Sequence, residues 1–176
     1  WYIVTLGGKT HYGYYNERIE IRGEHIWFKN DFWKQEEDYI NSESLGVLSQ
    51  NNEALSPILF NFHSVYRTTE TTINGNVRDG KFFTGRIKRG NQELPVINRS
   101  VASGVFFSSL FPVWIGKRLS TMETGKDVTF RTIMEDNLSL EFDTVVGQVR
   151  LEKPDEVALA TKTRKLRVNS RDQRTY

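Results

Sequence analysis

Along most of the chain, apolar and β-branched residues alternate with polar ones and give way at short intervals to turn residues. WYIVTL and HYGYYNERIEI flank Gly7-Gly8-Lys9, and Gly-Gly between two such runs predicts a hairpin, because both residues tolerate positive φ. Arg22-Gly23-Glu24 leads into HIWFKNDFW, where Ile26, Phe28 and Phe32 share one parity while Trp27 and Trp33 share the other. With rings on both faces neither is plainly the solvent side, and the two tryptophans read most simply as core or hairpin packing. DFWKQEEDYINSESLG reads as a strand with an irregular end. Pro57 cannot donate to a ladder, so the next strand is expected from Ile58. VYRTTETTI, KFFTGRIKR and ELPVI follow as successive hairpins, with turns predicted at Asn74-Gly75-Asn76, Asp79-Gly80 and Arg89-Gly90-Asn91. Downstream, DVTFRTIM, LSLEFDTVV and QVRLEK repeat the pattern around turns at Gly125-Lys126 and Asp136-Asn137, and ATKTRKLRVNS is the last strand candidate.

One block departs from this rhythm. In SVASGVFFSSLFPVWIGKR, residues 100–118, Phe107, Phe111 and Trp114 recur at helical spacing, and Phe106, Leu110 and Val113 do so on the adjacent stripe. Ser100 or Ser103 is positioned to cap a helix, Pro112 predicts a break near Phe111, and Gly116 predicts the end of the second piece. The architecture that accommodates both patterns is mainly β: a single long curved antiparallel sheet, a half-barrel, with one short apolar helix on its concave face. The helix supplies the core that one curved sheet cannot make for itself. Phe106, Phe107, Leu110, Phe111 and Trp114 then either fill that concavity or line a residual cavity that accepts an acyl chain.

Composition narrows the chemistry more than it defines it. The 176 residues suffice for one β-rich domain spanning 1–176, and 38% hydrophobic residues can bury a core. There is no cysteine, which excludes disulfides, thiolate metal sites and a cysteine nucleophile in this chain. The apolar block is too short and too interrupted to cross a bilayer as a helix. His11, His25 and His63 have no metal-ligand spacing, no G-x-S-x-G or phosphate-loop motif occurs, and no metal or cofactor is expected. Glu36-Glu37-Asp38 and Glu135-Asp136 are the acidic runs that a carboxylate-dependent hydrolase would have to draw on, and both read first as solvated edges. Exposed Tyr14, Trp27, Trp33 and Tyr39 would serve a carbohydrate-binding domain if they shared a solvent-facing platform. The net charge of +2 hides an uneven distribution: residues 161–176 carry six cationic side chains against Asp172, leaving residues 1–160 at −3. A basic tail without interleaved aromatics argues against nucleic acid and for protection of a terminal edge strand.

The opening tryptophan strand, the glycine turn with its lysine and the following Gly-Tyr (Trp1, Gly8, Lys9, Gly13, Tyr14) resemble the N-terminal module that precedes the catalytic domain in bacterial transglutaminase-like proteins. They also resemble exported bacterial domains of unassigned function, and VFFSSLFPVWIGKRL followed by DVTFRTIMEDNLSLEF is similar to their apolar insert and resumed sheet. The resemblance implies a fold like the curved sheet of lipoprotein carriers. It also implies a periplasmic or cell-envelope location, no enzymatic activity of the chain's own, and a place at the front of a longer protein. The expected function is to bind an apolar ligand, an acyl chain on the five residues above, or to dock a protein partner or downstream domain. A carboxylate-dependent hydrolase and a carbohydrate-binding domain are the alternatives.

Overall fold

Alternation of inward and outward side chains becomes strand throughout the first half of the chain. The computed structural model describes residues 2–6, 10–36, 39–79, 81–96, 98–133, 135 and 144–170. The first sheet contains β1 (Tyr2–Leu6), β2 (Thr10–Arg22), β3 (His25–Glu36), β4 (Tyr39–Gln50), β5 (Pro57–Tyr66), β6 (Thr69–Arg78), β7 (Lys81–Arg89), β8 (Gln92–Leu94) and β9 (Asn98–Ser100). From β1 to β8 each strand pairs antiparallel with its neighbour in the chain, and β9 returns to pair with the start of β7. Two of the connecting turns depend on glycine at positive φ, Gly23 and Gly90, both at 57°.

One turn expectation and one strand start change. Asn74-Gly75-Asn76 does not turn the chain; it lies inside β6, where a register shift falls between Ile73 and Gly75. Gly75 is there for proximity, since a Cβ at this position would sit within the ring of Phe60 on the adjacent strand. The chain reverses instead at Arg67-Thr68, with Arg67 at φ 54° and its N–H donating to the buried Asn41 Oδ1 at 2.7 Å. Pro57 opens β5 one residue earlier than expected, beside a bulge at Leu48/Ser49. The Gly7–Lys9 and Asp136-Asn137 turns lie outside the described residues.

The strands that follow the apolar block do not extend this sheet among the described residues. They form a second one, ordered β10 (Phe106–Phe107), β11 (Asp127–Ile133), β12 (Thr144–Leu151), β13 (Leu166–Ser170), with β10 parallel to β11 and the remaining pairs antiparallel. Between β10 and β11 the chain makes a 3₁₀ turn (Ser108–Leu110) and then α1 (Phe111–Arg118). A second helix, α2 (Glu156–Thr161), occupies residues that had no helical signal, and so shortens the last strand candidate to β13. It is started by Asp155, whose Oδ1 accepts from the Ala158 N–H at 2.9 Å.

The result is mainly β, a long curved antiparallel sheet with one short apolar helix across its inner face. That face contributes Ile26, Phe28, Leu45, Val47, Phe60, Phe62, Ile73 and Ile87 to a single hydrophobic cluster. Val105, Phe106, Phe107, Leu110, Trp114 and Ile115 meet them from the apolar block, and Phe130, Ile133 and Val149 from the second sheet.

Candidate functional site

The five residues read from sequence as an apolar ligand site come together, and what they meet is one another and the two sheets. Phe106, Phe107 and Leu110 are completely buried and Trp114 nearly so, while Phe111 is half-buried. Phe106 stacks on Trp114 at 5.2 Å, Phe107 meets Phe60 edge-on at 5.9 Å, and Phe111 lies 4.9 Å from Phe130. Of the five, Trp114 also borders a surface cavity of about 380 Å³ beside Arg118.

The block is held by two polar devices that sequence reading missed. Neither Ser100 nor Ser103 caps the helix. The cap comes from Glu135, completely buried, whose Oε2 accepts from the Ser108 N–H at 3.0 Å and the Ser108 hydroxyl at 2.9 Å, while Oε1 accepts from the Ser109 N–H at 2.9 Å. A carboxylate suits the unpaired N–H groups that open a helical segment. Pro112 breaks the segment where expected, at the change from 3₁₀ to α geometry before Phe111, but Gly116 lies within α1 rather than ending it. At the other end Arg118 covers the Trp114 ring at 4.4 Å, and its guanidinium donates to the Trp114 and Glu53 carbonyls at 3.2 and 2.8 Å. This clasps α1 to the loop between β4 and β5.

These contacts bear on the acidic runs. Glu135 is committed to the cap, and Asp136 and the Glu36–Asp38 side chains lie outside the description. Among the described residues no three His, Asp or Glu side chains converge as metal ligands would. His63 Nε2 lies 2.9 Å from Glu70 Oε1, an exposed pair.

A further concavity lies on the opposite face of the long sheet, and only the strand register reveals it. Arg18, Lys29, Gly46, Asn61 and Asn74 are successive cross-strand partners from β2 to β6, so their side chains project from one face. Gly46, at the centre of the row, has nothing within contact of the position a Cβ would take, and a trough of about 500 Å³ opens there. One wall is the next row along the strands, Trp27 and Leu59, with Leu48 between them in register. The other wall is Ser44, His63 and Thr72. Trp27 is 45% exposed and so lies outside the core, which leaves the hairpin packing expected for it. Tyr14 and Trp33 are cross-strand partners on this same face, whereas Tyr39 pairs with Glu36 and lies on the other parity.

At the β2–β3 end the trough is cationic. Arg18, Arg22 and Lys29 line it against one acid, Glu20. Glu20 is shared between Arg18, at 2.5 Å, and Arg22, and Lys29 reaches Asp31 at 3.1 Å. The three cations are 63–71% exposed, so their pairs are weak and open to competition by an incoming anion.

Fold and trough together define a curved-sheet β domain of the barrel-like kind. Over 91% of its length the chain is similar to the crystal structure of a β-barrel-like protein of a domain of unknown function, DUF1849, from Brucella abortus, of which 70% is covered, with TM-score 0.51 and 12% identity. A DUF1089 family protein from Pseudomonas aeruginosa is similar over 77% of this chain and 71% of its own, with TM-score 0.43 and 14% identity. At 12% identity the likeness to the Brucella abortus protein concerns the fold alone. No family model and no curated protein matches the chain.

Proposed function

We propose that this chain is a noncatalytic binding module of an exported bacterial protein, placed ahead of a transglutaminase-like domain, and that its ligand occupies the trough over Gly46. The observation that carries this reading is a ligand-sized concavity, about 500 Å³, on the face that the core does not use. An acyl chain among Phe106, Phe107, Leu110, Phe111 and Trp114 would have to displace rings already packed on one another, at the cost of overpacking a filled core. The trough needs no such rearrangement. Supporting a binding role over a catalytic one, the buried carboxylate Glu135 is fully engaged in holding α1.

Gly46→Phe tests the placement. Its backbone is outside the left-handed region and its missing Cβ faces open space, so a ring there plugs the trough without disturbing the fold. On arrays of immobilised glycans and lipids, the native chain is expected to bind saturably and the variant to lose that binding at an unchanged melting temperature. Absence of saturable binding by the native chain to any array member would remove the reading. The placement ahead of a transglutaminase-like domain is tested by the full gene product: a following domain with a Cys, His and Asp constellation supports it, and any other domain overturns it.

A further inference from the structure

The side-chain chemistry of the trough specifies what it holds. An acyl chain gains about 25 cal/mol per Å² only for area that leaves water for apolar surroundings, and it forces every polar group it covers to lose its hydration. Trp27 and Leu59 make one wall apolar and carbon surface predominates in the lining, but polar groups are spread over the rest of it. The floor and far wall offer the amides of Asn61 and Asn74, the hydroxyls of Ser44 and Thr72, and the ring of His63. An acyl chain laid against Trp27 would strand several of these groups.

A pyranose ring divides its surface in the same way. One face is C–H and lies flat on an aromatic ring; its edge is a row of hydroxyls, each both donor and acceptor. Asn61 and Asn74, cross-strand partners, present paired amide donors and acceptors at the spacing of neighbouring strands. The charge at the β2–β3 end adds a second selection. Residues 1–160 are net negative, yet three cations line the trough against Glu20, with Asp31 beside it on Lys29. From these observations we infer that the trough binds an acidic saccharide, the sugar face on Trp27, its hydroxyls on Asn61 and Asn74, and its carboxylates toward Arg18, Arg22 and Lys29. The inference rests on the trough being the binding site, as proposed above.

The experiment is titration calorimetry of the 176-residue chain with three probes: tetragalacturonate, its fully methyl-esterified form, and oleate. Tetragalacturonate is expected to bind. Esterification, or Lys29→Gln, is expected to weaken binding about tenfold or more, as loss of a charged hydrogen-bond partner does. The affinity should also fall as salt is raised. Trp27→Ala and Gly46→Phe should each abolish it while the melting temperature holds. Equal affinity for the ester overturns the selection for acid. Binding of oleate alone, lost in Gly46→Phe, overturns the saccharide while leaving the trough as the site. Tetragalacturonate binding that survives Gly46→Phe overturns the location, and no binding of any probe counts against both readings.

Discussion

Glu135 is the residue on which the apolar block turns. Its carboxylate meets three donors at the start of the helical segment and is wholly buried, so its removal leaves those donors without a charged acceptor in a place water does not reach. Glu135→Ala is expected to lower unfolding stability by about 3 kcal/mol, and Glu135→Gln by less, because one amide oxygen survives while the NH₂ opposes an N–H. Urea denaturation followed by tryptophan fluorescence measures both. Two exposed carboxylates contribute to the acid response. Asp127 is held below its ordinary value of 3.8 first by its hydrogen bonds to Arg150, and Asp155 first by the Ala158 N–H and then by Lys165. Because folding lowers both, their contribution is present above the unfolded carboxylate range and is lost as pH falls through the depressed native values. Asp127→Asn should therefore flatten the fall in melting temperature below about pH 4, where native chains lose this pair. An unchanged acid limb in the variant would contradict this.

At the scale of elements, glycine separates what sequence patterning carries from what it hides. Asn74-Gly75-Asn76 has turn composition, but its glycine answers to Phe60 across the sheet, a contact no local pattern contains. Gly75→Ala should destabilise by about 1–3 kcal/mol, since the ring must move in a packed core. Gly116 is the converse. It lies in α1, is exposed, and nothing stands near its Cβ position, so Gly116→Ala should stabilise by about 0.5–1 kcal/mol and raise the melting temperature. The strands themselves were legible because alternation and turn residues are local properties. The helix start was not, because its cap comes from a residue 27 positions away in sequence. Nor was α2, six residues long and fixed by Asp155.

For the whole molecule, the apolar block was legible as core, but its role is to join two sheets rather than to line one. Phe106→Ala is expected to cost about 3–5 kcal/mol, with circular dichroism and fluorescence reporting one coincident transition. The trough was not legible. Arg18, Lys29, Gly46, Asn61 and Asn74 are scattered over 57 residues and become a row only through the register of five strands. The sole hint was that HIWFKNDFW carries rings on both parities, of which Trp27 faces the trough.

The neighbour-to-neighbour order from β1 to β8 also governs how the chain can assemble during synthesis. Hairpins can zip in turn as they emerge, with short loop closures and little entropy to overcome. Yet Ile26, Phe28, Phe60 and Phe62 stay uncovered until residues 105–118 and the later strands have been made. A nascent chain is thus a greasy ribbon until that block emerges, and a chain cut off at residue 100 should aggregate or hold a chaperone where the 176-residue chain does not.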